Sequence, residues 1–215
     1  MKEIKYENNI ITYPDDFKDI SFKQYLEITT YISSNKENNL KIVIFELLNS
    51  LVKIDGDILV DDLPVSFGKD MVQDISKVIQ EINNYSIDTA PKVNKQVQST
   101  DSKIIKVEDK IFIFETDLSK MKMSKYIELE LLLGDSSKTP IQLLIGLIGS
   151  LFKEVIKKND EIIYLDTEES VIVEYLMKAK AFEIIKYINF FLSIATGSKK
   201  DSKTSSKRTR NTKQK

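Results

Sequence analysis

Cysteine and histidine are both absent from these 215 residues, and that removes more chemistry than any motif adds. Without them there is no disulfide framework, no thiol nucleophile and no histidine-based triad, and zinc loses its usual ligands. Arginine is nearly absent too: Arg208 and Arg210 are the only two, so the rest of the chain takes its positive charge from lysine. Long apolar runs are also missing. The longest, Ile141 to Phe152, is about a dozen residues, too short to cross a bilayer core of ~30 Å as a helix. The opening MKEIKYENN lacks the apolar segment of a secretory signal. The chain is therefore expected to be soluble and intracellular, with no membrane partner. Neither a phosphate-cradling glycine loop nor a dinucleotide fingerprint occurs, and no carboxylates converge by spacing on an acid–base pair. No catalytic residue, cofactor or metal is assigned, and the chain is expected not to be an enzyme.

What is present is an ordinary globular composition, 41% apolar and 30% charged, in a chain long enough to bury a core as one pseudo-symmetric domain or two small ones. The net charge of −1 hides an asymmetry. Residues 198–215 carry eight basic residues and one acid, so the body is acidic and the tail strongly basic.

The chain also repeats itself. Ile4-Lys5-Tyr6-Glu7-Asn8-Asn9-Ile10-Ile11-Thr12-Tyr13 aligns with Ile105-Lys106-Val107-Glu108-Asp109-Lys110-Ile111-Phe112-Ile113-Phe114. The register continues through Ile20–Ile28 against Met121–Leu129, then Leu47–Lys53 against Leu147–Lys153, then Val78–Asn83 against Ile184–Asn189. What recurs is apolar pattern. Each copy opens with a polar centre, Glu7-Asn8-Asn9 or Glu108-Asp109-Lys110, between β-rich flanks, which predicts a hairpin with Asn8 and Asp109 at positions that tolerate positive φ. A short helix follows, capped in the first copy by Ser21 with Gln24; Lys122 stands at the aligned cap, so the second copy is expected to start differently.

Leu40, Val43, Ile44, Leu47, Leu48, Leu51 and Val52 then follow one helical face. In the second copy Thr139-Pro140-Ile141-Gln142 supplies a capped start to a helix over 141–156 that is apolar all round and expected to form the structural centre. A third helix carries Met71, Ile75, Val78, Ile79 and Ile82; its counterpart is expected over 168–194 with Lys178, Lys180 and Lys186 outside. The expected fold is mainly α (α+β): two similar hairpin-plus-helices units, residues 1–84 and 103–197, joined by a linker over 85–102 and followed by a disordered basic tail over 198–215.

Some patterns mimic chemistry. Gly146-Leu147-Ile148-Gly149 matches the GxxG of an RNA-binding loop, but it sits in an apolar helical run without basic neighbours, which suits close helix packing better. Asp55-Gly56-Asp57 with Asp61-Asp62 lacks the alternating ligands and terminal Glu of a calcium loop and reads as an acidic turn between two helices. The repeated Tyr25 with Glu27, and Tyr126 with Glu128, are candidate equivalent protein contacts; otherwise each Tyr covers a core edge with its hydroxyl in water. In the tail, Lys199, Lys200, Lys203, Lys207, Arg208, Arg210, Lys213 and Lys215 are candidate contacts to nucleic acid or another polyanion. A solubilising terminus is the alternative, and the lack of aromatics there argues against sequence-selective base stacking.

The layout carries one family likeness. A hairpin, a helix entered through ISFKQYLEI, an amphipathic helix ending in SLVKID, an acidic turn and a further helix resemble the small tail and baseplate-hub assembly proteins of contractile-tailed bacteriophages, which are chaperone-like and helical. The likeness covers residues 4–83 and 105–192. It implies a non-enzymatic virion assembly or structural protein whose partners are other phage structural or assembly proteins, in the cytoplasm of the infected host cell or in the virion. It brings no catalytic residues. Two related units offer two related surfaces, which suits bridging or holding copies of a partner. The alternative is a nucleic-acid-associated accessory protein that binds through its basic tail.

Overall fold

The computed structural model describes residues 1–35, 40–84, 104–114, 121–159 and 161–192. Strands β1 (Lys2–Tyr6) and β2 (Asn9–Tyr13) form the first hairpin, followed by α1 (Phe22–Ser34), α2 (Leu40–Leu51), β3 (Lys53–Asp55) and α3 (Val65–Asn84). The second unit runs β4 (Ile104–Val107), β5 (Lys110–Phe114), α4 (Met123–Gly134), α5 (Pro140–Leu151), β6 (Phe152–Lys158), β7 (Glu161–Tyr164), α6 (Glu169–Leu176) and α7 (181–192).

The duplication reaches the hydrogen-bond register. Glu3 pairs with Thr12 as Ile104 pairs with Ile113, and Ile11 pairs with Ile54 as Phe112 pairs with Glu154, which are aligned positions in both cases. The hairpin turns match as well, but positive φ falls on Glu7 (53°) and Glu108 (54°), not on Asn8 and Asp109. That is the first of the two turn residues, where a type II′ turn places it.

The fold is α+β and not mainly α. Among the described residues there are two antiparallel sheets, ordered β1-β2-β3 and β4-β5-β6-β7, beside seven α-helices. The expected hairpins are therefore only the first two strands of each sheet. Of the additional strands, β6 takes the end of the helix expected over 141–156: α5 stops at Leu151, and Phe152–Lys158 is a strand paired along β5. β3 takes the Lys53–Asp55 end of the helix expected to finish in SLVKID, whereas β7 falls in a segment with no helical expectation. A continuous apolar run does not distinguish a buried helix from a buried strand. Here the free edge of β5 decides, because its backbone groups need partners. Likewise Asp55-Gly56-Asp57 does not join two helices; it leaves β3 and leads to a short 3-10 helix, Val60–Asp62.

The expected helix over 168–194 is also two helices, broken at 177–180, and Ile194 lies outside the described residues. The cause is tertiary. Ala179 and Met177 carbonyls accept from the Phe22 and Lys23 N–H groups at 2.8 and 2.9 Å, and Ala181 N–H donates to Ile20 O at 2.8 Å. Those two N–H groups belong to the first turn of α1, where a helix leaves its donors open. Ser21 satisfies a third: its Oγ accepts from Gln24 N–H at 3.2 Å while Gln24 Oε1 accepts from Ser21 N–H at 3.0 Å, the expected capping box. The Thr139–Gln142 box forms too. At α4 the helix begins at the aligned residue, yet Lys122 gives no side-chain cap.

One cluster of buried apolar side chains draws on both units, including Tyr13, Phe22, Ile75, Ile79, Phe112, Phe114, Phe152, Ile184 and Ile188. The α3 stripe is buried as expected, and so are Leu47, Leu48 and Leu51 of the α2 face and Val52, expected on that face but lying just past the end of the helix, whereas the side chains of Leu40, Val43 and Ile44 lie outside the described residues. In α5, burial is deepest from Leu147 to Leu151. Its two glycines serve packing: a Cβ on Gly146 would stand 2.9 Å from Leu132 of α4, and one on Gly149 would stand 3.2 Å from Glu169 of α6. This matches close helix contact and not an exposed RNA-binding loop. The expected linker over 85–102 lies outside the described residues.

Candidate interaction surfaces

The two repeated tyrosines occupy different environments. Tyr25 is buried, stacked on Phe22 with ring centroids 5.9 Å apart and tilted against Phe17, and its burial raises the hydroxyl pKa above the ordinary value. Tyr126 is 42% exposed and its hydroxyl donates to Glu130 at 3.2 Å. Neither Tyr25 nor its surroundings fit a ring at a core edge with its hydroxyl in water. Glu27 is exposed beside Lys23 at 3.9 Å, and Glu128 is exposed beside Lys125 at 3.2 Å. Glu27 does line an open groove of about 580 Å³ between α1 and the 177–180 break, together with Lys23, Leu26, Thr30, Tyr31 and Met177. The basic tail, with all its candidate contacts from Lys199 to Lys215, lies outside the described residues.

Exposed apolar side chains gather on the second unit. Four lie on α4: Met123, Tyr126, Ile127 and Leu131. Four more lie on Ile156 of β6 and on Ile162, Ile163 and Tyr164 of β7, which is an edge strand. Edge strands in water are normally short, charged or covered, because their unpaired N–H and C=O groups recruit other strands. β7 is short, but it carries one charge and three large apolar residues. Sequence pattern could not find these residues, since Ile162 and Ile163 face opposite sides of the strand and neither side is covered.

A buried ionic site also escaped sequence reading. Glu154 is 7% exposed, and its Oε2 accepts from Lys110 Nζ at 2.9 Å and from Thr167 Oγ1 at 2.8 Å. The bond to Glu154 raises the Lys110 pKa, and the same ammonium sits 4.5 Å from the Tyr175 ring centroid. Lys178 approaches the other charges of that ring's surroundings, 5.1 Å from its centroid and 3.1 Å from Glu108. Glu154 aligns with Ile54, so the first unit has no such site. The arrangement ties the β4–β5 turn, β6 and α6 together. Its acid and base are paired to each other, with Thr167 as the third member, so it locks structure more than it offers a reactive group.

At the other sheet, Asp74 accepts from Lys2 Nζ at 2.8 Å, from Lys77 at 3.4 Å and from Tyr13 Oη at 3.3 Å. The Lys2 hydrogen bond is the main reason its carboxyl pKa is lowered. No group of three or more metal-ligating side chains occurs among the described residues, including the Asp55–Asp62 stretch, and no described helix is long and apolar enough to cross a membrane. Compared with known proteins, no family model, curated protein or solved structure matches the chain.

Proposed function

We propose that the protein acts by binding other proteins, as a non-enzymatic assembly or structural component of a phage virion, of the tail or baseplate chaperone-like kind. The observation that supports this most is the apolar edge of the second sheet, where Ile162, Ile163 and Tyr164 are exposed on β7, a strand with one open side, beside the exposed Ile156 of β6. An edge of this kind takes up an extended segment of a partner through backbone hydrogen bonds, with alternate side chains setting specificity. The phage assignment rests on the sequence order of hairpin, helix entered through ISFKQYLEI, amphipathic stretch ending in SLVKID and acidic turn, of which the Lys53–Asp55 end is the strand β3 and not helix. Co-expression with the products of neighbouring genes, followed by affinity purification, tests it. Recovery of a tail, baseplate or portal protein is expected, and Ile163→Lys should reduce that recovery. Repeated recovery of none, or neighbours with no role in virions, would refute it.

A second reading, in which nucleic acid binds the basic tail, is favoured by eight basic residues against one acid in residues 198–215. Binding by a polycation of this density weakens steeply with salt. Removal of residues 198–215 should then abolish DNA or RNA binding in a mobility-shift assay. Unchanged binding by the truncated chain would eliminate the tail's role.

A further inference from the structure

The repeat makes α1 and α4 a matched pair with unmatched surroundings. On α1 the aligned residues Phe22, Tyr25 and Leu26 are buried, and the first turn is sealed by backbone hydrogen bonds to 177–181 of the second unit. On α4 the aligned Met123, Tyr126 and Ile127 are exposed, with Leu131 one turn further on at 69%. Met123, Ile127 and Leu131 are spaced four apart and form one stripe. Leu129, Leu132 and Leu133 already face the chain's own core, so α4 is apolar on both sides.

A head-to-tail continuation, in which the first unit of another copy covers α4 as the second unit covers α1, lacks its docking element. That element is the 177–180 break, and α3 (Val65–Asn84) runs unbroken in the corresponding place. A closed two-fold contact needs no such element, because one patch serves both partners. The charges agree with an antiparallel contact. Lys125 is paired within its own chain to Glu128 at 3.2 Å and to Glu169, but Lys122 lies at the start of α4 and Glu130, which accepts from Tyr126, towards its end, the reverse of the order the helix dipole favours. Antiparallel pairing sets each basic start over the acidic end of the other helix.

We propose that this face of α4 is a self-association site, on which α4 of a second copy packs antiparallel with Ile127 near the two-fold axis. Twelve residues of helix offer less than the ~800 Å² per partner of a standard interface, so the dimer is weak, with a Kd of about 10–100 µM. This proposal does not depend on the reading of β7 as a partner edge, since it concerns the protein alone.

Sedimentation equilibrium of the full chain across that concentration range tests it. The wild type is expected to dimerise, and Ile127→Lys to remain monomeric while its circular-dichroism melt is unchanged. Lys122→Glu and Glu130→Lys should each weaken the dimer about tenfold, roughly what 1.4 kcal/mol represents. Combined in one chain they should restore it, because the swapped charges again oppose across the axis. A wild type that stays monomeric throughout would overturn the proposal. So would a dimer unaffected by Ile127→Lys, which would place association elsewhere, or a charge-swapped double variant no tighter than the single ones, which would exclude the antiparallel arrangement.

Discussion

Gly56 provides a quantitative test of how the first sheet is closed. It follows β3 with φ of 150°, and a Cβ there would stand 1.7 Å from Asn9 Oδ1 and 2.6 Å from Asn9 Cγ. Asn9 is 7% exposed; its Oδ1 accepts from Asp57 N–H at 3.1 Å and its Nδ2 donates to Tyr6 O at 3.3 Å. The side chain thus clips the exit of β3 to the β1–β2 turn. Gly56→Ala adds backbone strain of about 1–2 kcal/mol and displaces Asn9, whose unmade bonds cost about 1–2 kcal/mol more. The expected loss is about 2–4 kcal/mol, or roughly 5–15 °C in Tm for a chain of this size. Asn9→Ala alone should cost about 1–2 kcal/mol. In the double variant the collision is gone and only the strain and the missing bonds remain. The two changes should therefore cost about 1–2 kcal/mol less together than their sum. Urea unfolding of the four proteins, followed by far-UV circular dichroism, measures this cycle. Additivity within about 0.5 kcal/mol, or a neutral Gly56→Ala, would refute the close-approach argument.

The core of the second unit should be intolerant where the first helix face is not: Ile148→Asp buries an unpaired charge and should abolish cooperative melting, whereas Glu46→Asp and Asn49→Asp, at exposed positions, should change stability by less than about 0.5 kcal/mol. Lys110→Met leaves Glu154 buried with only Thr167 as side-chain partner and should cost about 1–3 kcal/mol by urea unfolding, below the loss for a fully dry pair because Lys110 is partly exposed. Glu154→Gln in the same background should recover part of that loss. Asp74 has a lowered pKa in the folded state, so its contribution is present at neutral pH and disappears as pH falls through the carboxylate range below about pH 4. Thermal melts against pH should show this decline, and Asp74→Asn should flatten it while lowering Tm at neutral pH.

Local chemistry made a good part of this architecture legible. The two-copy plan, both hairpins, the Ser21–Gln24 and Thr139–Gln142 boxes and the α3 stripe are each specified within a few residues, by alternation, by capping side chains or by helical spacing. Those determinants act over one or two turns of chain and need no distant partner. What the tertiary structure decided are the choices for which local preference was balanced. Phe152–Lys158 is a strand because β5 offers an edge, and the chain breaks at 177–180 because α1 offers open N–H groups. Tyr25 is buried and Tyr126 exposed, although the two stand in the same sequence context, because the second unit lies over the first and no described segment of the chain lies over the second. Which face of a repeated helix is covered depends on what packs across it, and that is a property of the arrangement of units in space that identical apolar patterns do not encode.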